Sequence, residues 1–383
     1  MHFISLYAAF EVYPSRKGAS THMDHMTEVL ARSAPPLLCC TLEGEEMPVF
    51  DRNISYRRYT SSEIHYLDRG RNFSSWLNAQ LKNERPFEIA QFRDIWSGLP
   101  ILESRSAWLT VYEANGFPSI ELPYRFPDIS ATTLKKIRSL EMYCLSESDI
   151  IICPSQTIKN FILSLGLRES KIHVIPNGAV IPEASLKPQD LPENYILYFG
   201  AVQPWQGIDT LIRAFKNLQD MENLYLLICS AQREKYSRPY RKLGEQAGLA
   251  GKIRWFHLLD TGELNPIIEH SLFTVAPLKE TARNTVQGCS PLKIFESMAL
   301  GRTVLASDIP PVREIITDGY DGLLVRPDRP TELSRKIRML VDFPRLAGQL
   351  GSQARQTIQK NFLWENSKTR LSQLFNTNRA DAA

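Results

Sequence analysis

A chain of 383 residues is longer than one hydrophobic core usually organises and suits two domains. Apolar residues make up 43% of it and charged residues 23%, and the formal net charge is only +3, so the basic stripe expected of a nucleic-acid binder is missing. No apolar run reaches the roughly 20 residues needed to span a bilayer, and the opening MHFISLYAAF lacks a basic start and a small-residue cleavage site.

That opening reads as a first buried strand. Short apolar runs bounded by turn residues then alternate with helical patterns, as in parallel βαβ units. In the first half, strands are predicted over 3–8, 88–92, 108–112, 150–153 and 172–175. The stretch 37–84 carries no decipherable pattern. Residues 180–194 hold three prolines and no helical period, which marks a linker and a boundary near 185. Strands are predicted next over 195–199, 224–229, 253–256, 273–276 and 303–306. Ile208, Leu211, Ile212 and Phe215 recur at helical spacing, as do Leu333, Ile337 and Leu340 behind Pro330, with Asp328 placed to cap that helix. Trp364, Leu371, Leu374 and Phe375 share one face of a last helix, about 362–378, which is a candidate to pack back on the N-terminal domain. Two doubly wound α/β domains result, 1–185 and 186–383.

Cys39, Cys40, Cys144, Cys153, Cys229 and Cys289 form no C-x-x-C pair, so neither a zinc site nor a redox dithiol is indicated. A cytoplasmic location fits this cysteine usage, with peripheral contact at the inner face of the membrane left open.

The segment CSPLKIFESMALG (289–301) carries the main chemical signal. Ser290 is a suitable N-cap and Pro291 a suitable first helical residue. The first-turn amides and the positive end of the helix dipole make an anion site, to which Lys293 adds a full charge. Glu296 follows at i+3 on the same face, where a carboxylate would accept hydrogen bonds from a nucleotide ribose.

SPLKIFESMALGRTVLASDIPPVREIITDGYDGLLV resembles the donor-binding core of the retaining family-4 (group 1) glycosyltransferases. YILYFGAVQPWQGIDTLIRAF, VIPNGA (174–179), SDIIICPSQTIKNFI, FLWENSKTRLSQLF and RKGASTHMDHMTEVLA resemble further segments of that family, in order. The resemblance implies the GT-B fold, two Rossmann-like domains facing across a cleft, the N-terminal one on the acceptor side and the C-terminal one binding nucleotide sugar. It implies that Glu296 binds donor ribose, that Lys293 and the amides of Pro291 and Leu292, behind Ser290, hold the diphosphate, and that Gly18 and Ala19 bring a backbone N–H near the distal phosphate.

Three departures stand out. The first of the two glutamates usual in the family falls on Gly288; the arginine and lysine after Gly200 are replaced by Ala201 and Gln206; and the usual histidine after the fourth-strand region is absent, the chain there reading Tyr112-Glu113-Ala114-Asn115. Arg283, Asn284 and Lys279 are candidates to replace the lost polar groups, Arg283 above all acting on the leaving diphosphate. Beyond first-domain strands, Arg93, Asp94, Asn115 and Glu121 are acceptor- or sugar-facing candidates, and Glu113 is the choice for a catalytic polar group near the reacting carbon. His22 and His25 read as structural.

The implied reaction moves a sugar with retention from a nucleotide-diphosphate donor, the co-substrate, to a hydroxyl of a glycan, lipid-linked or small-molecule acceptor. No D-x-D motif is present, so no metal and no cofactor are expected. The competing readings are a catalytically silent nucleotide-sugar-binding homologue, a nucleotide-sugar epimerase, and a phosphorylase on the same scaffold.

Overall fold

The computed structural model describes residues 3–44, 46, 51–84 and 86–382, the side chains of 379–382 excepted. Met1 and His2, ahead of the expected first strand, and 45 and 47–50 of the undeciphered stretch lie outside the described residues. The chain forms two units, one comprising Met1–Pro176 with Ser367–Ala383, the other Asn177–Asn366.

The first unit is built on seven strands: β1 (Ser5–Tyr13), β2 (Leu37–Glu43), β3 (Ile54–Tyr59), β4 (Phe87–Phe92), β5 (Ala107–Glu113), β6 (Ile150–Cys153) and β7 (Ile172–Val174). Their order is β3-β2-β1-β4-β5-β6-β7, every neighbouring pair parallel. The second unit carries β8 (Asn194–Gly200), β9 (Leu224–Ser230), β10 (Ile253–His257), β11 (Thr274–Ala276), β12 (Val304–Ser307) and β13 (Leu323–Val325), in the parallel order β10-β9-β8-β11-β12-β13. Both are doubly wound α/β sheets, as the sequence led us to expect. Covered on both faces by helices, such strands read as continuous apolar runs, which explains why LLICS and IIIC were legible.

Three strands were not predicted. β3, ISYRRY, is an edge strand whose side chains are all half-buried, so neither alternation nor an apolar run marks it. β2 is buried from Leu37 to Leu42 but lies within the undeciphered stretch 37–84. β13 is only three residues long.

The helix Ile208–Lys216 buries Ile208, Leu211, Ile212 and Phe215, the predicted stripe, against the second sheet. At about 1.5–3 kcal/mol for each large apolar side chain buried, this face outweighs any propensity of its nine residues. The helix Pro330–Asp342 begins at the predicted proline, but Asp328 does not cap it. Asp328 instead sits at φ +54 and accepts a hydrogen bond from the Thr210 hydroxyl at 3.2 Å, tying the segment ahead of this helix to the helix Ile208–Lys216. Its carboxylate is thus committed elsewhere.

The chain passes between units at Pro176 and Asn177, not near 185. The proline-bearing stretch belongs to the second unit, where Glu269 accepts from the Ser185 amide at 2.8 Å and hydroxyl at 2.5 Å. In the last helix, Trp364–Ala382, Leu371 and Phe375 are fully buried, the Ser367 hydroxyl donates to the Pro176 carbonyl at 2.7 Å, and Lys368 pairs with Glu28 at 2.6 Å. These contacts place Ser367 onward in the first unit.

One close approach fixes the helix Leu292–Ala299. It ends in a Schellman motif: Gly301, at φ +69, donates to Met298 and Arg302 donates to Ser297. Gly351, in the helix Pro344–Asn361, lies so near that a Cβ there would stand 2.2 Å from the Gly301 carbonyl oxygen. Gly351→Ala must therefore force the two helices apart. We expect a loss of about 1–3 kcal/mol from overpacking, seen as a lower denaturation midpoint; unchanged stability would show that this contact does not constrain the helix.

Candidate functional site

In the second sheet the strand order reverses between β8 and β11, so the loops leaving their carboxyl ends diverge and open a crevice. β8 ends at Gly200, at φ +114, and is followed by a short 3-10 turn at Pro204–Gln206 and by Gly207, at φ +71. A Cβ on Gly207 would lie 1.8 Å from the Pro277 carbonyl oxygen, so the loops after β8 and β11 press together there. Asn284, fully buried, latches the same two loops by donating to the carbonyls of Trp205 at 2.9 Å and Lys279 at 2.8 Å.

The helix Leu292–Ala299 opens at this crevice. Pro291, not Ser290, is its N-cap, and no side chain caps it. Proline has no N–H, so the amide expected of Pro291 does not exist; Ile294 already donates to the Pro291 carbonyl at 3.0 Å, which leaves Leu292 and Lys293 as the first-turn donors. Ser290 contributes through its carbonyl, which accepts from the Asn177 amide at 2.8 Å. The VIPNGA segment thereby pins the turn before the helix.

Lys293 extends its ammonium to Gln206 Oε1 at 2.7 Å and to the Tyr198 hydroxyl at 3.0 Å, 4.1 Å from the centre of the Tyr198 ring. The Tyr198 hydroxyl donates onward to the Ala201 carbonyl at 2.6 Å. Gly200 leaves the space that the Lys293 side chain occupies: a Cβ there would stand 3.3 Å from its Cε and Nζ. A lysine expected at 206 is thus replaced by a lysine reaching position 206 from the helix, and Gln206 acts as its acceptor. Burial lowers the Lys293 pKa to about 7, against the pull of Glu296. Burial likewise raises Glu296 to about 7, opposed by Lys293.

Arg283 flanks this group. It begins a π-helical turn, Arg283–Gln287, stacks its guanidinium 5.3 Å over the Trp205 ring, and lies close enough to Lys293 and Cys289 to influence both electrostatically. Gly288 follows at φ +91 and ψ 175, a conformation open essentially to glycine alone, so the glutamate of relatives would be strained there. Lys279 is spoken for: its ammonium pairs with Asp209 at 2.8 Å.

The first unit has its own reversal point, between β1 and β4. After β1, the helix Gly18–Ser33 starts at Lys17 with no side-chain cap, Gly18 exposed and Ala19 half-buried. At the end of β5, Glu113 is buried and saturated. Its Oε1 accepts from Arg93 at 2.7 Å, meets His22 Nε2 at 2.8 Å, and accepts from the Asn115 amide; its Oε2 accepts from the Tyr7 hydroxyl and the Gln91 amide, each at 2.9 Å. Although burial works the other way, His22, Arg93 and these donors hold its carboxyl down at about 2. With both oxygens occupied, Glu113 positions Arg93, Asn115 and His22 and presents no lone pair for catalysis. Asp94 caps the helix Ile95–Glu103 through Trp96 and Ser97, and burial raises its carboxyl to about 6. Glu121 lies outside the Glu113 cluster, in the first turn of the helix Pro118–Arg125. Sequence reasoning missed Tyr198, Tyr7 and Gln91, which lie inside strands that look like plain core.

Residues 183–357 match the family model described as "Glycosyl transferases group 1", and residues 16–181 the model "Glycosyltransferase Family 4". An uncharacterized glycosyltransferase of Methanocaldococcus jannaschii is 23% identical over 60% of this chain and 58% of its own length. The lipopolysaccharide 1,2-N-acetylglucosaminetransferase of Salmonella typhimurium is 27% identical over 58% of this chain and 61% of its own. This chain thus spans about three fifths of these curated relatives. In fold, HepE of Anabaena, solved with UDP-glucose, superposes with a TM-score of 0.76 at 15% identity, over 98% of this chain and all of that one.

The Glu113 cluster gives a pH test. The folded carboxyl titrates near 2, below its ordinary 4.5, so its stabilisation is complete above pH 4.5 and is lost as pH falls towards 2. That gap corresponds to roughly 3 kcal/mol. Acid denaturation of the Glu113→Gln variant should lack this component; an unchanged acid limb would mean that other carboxylates carry it.

Proposed function

Because the chain belongs to the group 1/family 4 glycosyltransferases, of GT-B fold, we propose that it transfers a sugar from a nucleotide-diphosphate donor to an acceptor hydroxyl, with retention and without a metal. The observation that carries this reading is the Lys293 ammonium, 2.7 Å from Gln206 at an uncapped helix start, one turn ahead of Glu296. A diphosphate placed there meets the Leu292 and Lys293 amides, the ammonium, and Arg283 at the flank. These groups oppose the charge that grows on the leaving group as the glycosidic bond breaks. Arg283, planar and always protonated, suits two phosphate oxygens at once. Glu296 accepts from ribose hydroxyls. In retention, the acceptor attacks the face that the diphosphate leaves, and a leaving-group oxygen takes the acceptor proton, so no protein base is required.

The first unit serves the acceptor side, with Arg93 and Asn115 oriented by Glu113 and the Gly18 and Ala19 amides offered to a phosphate. The S. typhimurium relative, named for lipopolysaccharide transfer, and the UDP-glucose complex of HepE make UDP-sugars and glycan acceptors the first to test. Six free, buried cysteines fit a reducing cytoplasm, and no helix among the described residues is long and apolar enough to cross a membrane.

Turnover of UDP-sugars, followed by UDP release and by the anomeric coupling of the product, tests the reading directly. We expect retained configuration and undiminished turnover in excess chelator. Inverted product, or loss in chelator restored by Mn²⁺ or Mg²⁺, overturns it.

The poised lysine gives a second test. An arriving diphosphate favours the Lys293 cation, so above pH 7 binding must take up a proton. UDP affinity should then fall as pH rises, by at most about tenfold per unit. Lys293→Met should abolish this dependence and weaken UDP roughly 10-fold or more, whereas Glu296→Gln should weaken UDP but keep the alkaline fall. Calorimetry across pH decides; a flat profile in the Glu296→Gln variant, which lacks the second group that titrates near 7, refutes the role given to Lys293.

A further inference from the structure

Within the first unit a cleft of about 410 Å³ opens between the start of the helix Tyr66–Leu81 and the end of the helix Pro118–Arg125 with the segment after it. Those two helices are the ones that follow β3 and β5. The cleft therefore lies at the carboxyl edge of the sheet, where open α/β folds take their ligands. Its size falls in the range of small-molecule sites.

One wall is aromatic and fixed. The Tyr66 ring packs edge-on against Phe10 at 5.6 Å and against Trp96 at 6.3 Å, and its hydroxyl accepts from the Trp96 indole at 3.4 Å. The Phe126 ring lies 6.2 Å from Tyr66 and is 40% exposed, so its face is open to the cleft. Arg125 sets its guanidinium 5.7 Å over both rings and makes no ion pair among the described residues. Asp128 and His65 complete the polar lining, and Leu67, Leu122 and Ile129 the aliphatic one.

This lining has two characters. Arg125 supplies donors in a plane, Asp128 supplies acceptors, and an aromatic face lies beside them. A hydroxylated ring needs that combination, because its hydroxyls both donate and accept while its C–H face is apolar. A bare phosphate does not, since Asp128 would repel it. The aliphatic side asks for an apolar group attached to the ring.

We propose that this cleft binds the acceptor, and that the acceptor is a sugar carrying an apolar aglycone. The inference rests on reading the first unit as the acceptor side, and it adds the chemical class. The sugar meets Arg125 and Asp128 against Phe126, and the aglycone lies along Leu67, Leu122 and Ile129.

Calorimetry of the full chain with octyl glucoside below its micelle concentration tests this, with glucose, octanol and octyl phosphate as comparisons. Octyl glucoside should bind at least tenfold more tightly than glucose or octanol, and more tightly than octyl phosphate. Arg125→Gln should weaken it roughly tenfold, as loss of a charged hydrogen bond does, and Phe126→Ala several-fold, with UDP affinity and melting temperature unchanged in both. Preference for octyl phosphate, equal binding of octanol, or indifference to both substitutions overturns the assignment. The measurement needs no donor and no turnover, so it stands or falls separately from the transferase reading.

Discussion

A lysine ammonium held by neutral groups is the interaction on which the donor side turns. Lys293 makes no ion pair within 4 Å among the described residues; a glutamine carbonyl, a tyrosine hydroxyl and an aromatic face hold it instead. Pairing with a carboxylate would have kept it charged but cancelled its field. Neutral partners leave the field intact for an arriving anion, at the cost of a cation that burial keeps close to losing its proton. Gly200, Gly207 and the Asn284 latch all serve that placement, since each removes bulk from the two loops or fastens them where the ammonium must lie.

The first unit solves a different problem with opposite means. There the charge at the strand end is a carboxylate, and five neighbouring side chains converge on it. Breaking such a buried cluster by removing one partner is far more costly than losing a surface pair. Glu113 therefore behaves as a keystone, and what it offers to chemistry is the fixed direction of Arg93 and Asn115. The two sheets share a strand order over six strands, the first adding a seventh, and one unit presents a held cation where the other holds a consumed anion at the end of β5.

Much of this was legible in the residues. Parallel strands buried on both faces announce themselves as apolar runs, and the SPLKIFE turn advertises an anion site through its proline, lysine and glutamate. What escaped has physical reasons. β3 is a half-buried edge strand with two arginines and no period. Ser290 looks like a cap, yet the helix starts one residue later and its carbonyl is claimed by Asn177. Glu113 looked reactive because a strand-end carboxylate is a common place for chemistry; nothing in the chain shows that Tyr7 and Gln91, distant in sequence, fill its second oxygen. Tyr198 was hidden for the same reason, its hydroxyl being a polar atom on an otherwise ordinary core strand.

The backbone at Gly288 limits what can stand there. With φ at +91 after a π-helical turn, the residue occupies a conformation that a glutamate would adopt only under strain. A glutamate at 288, which the family resemblance would place there, could be accommodated only after the turn is rebuilt, however useful its carboxylate.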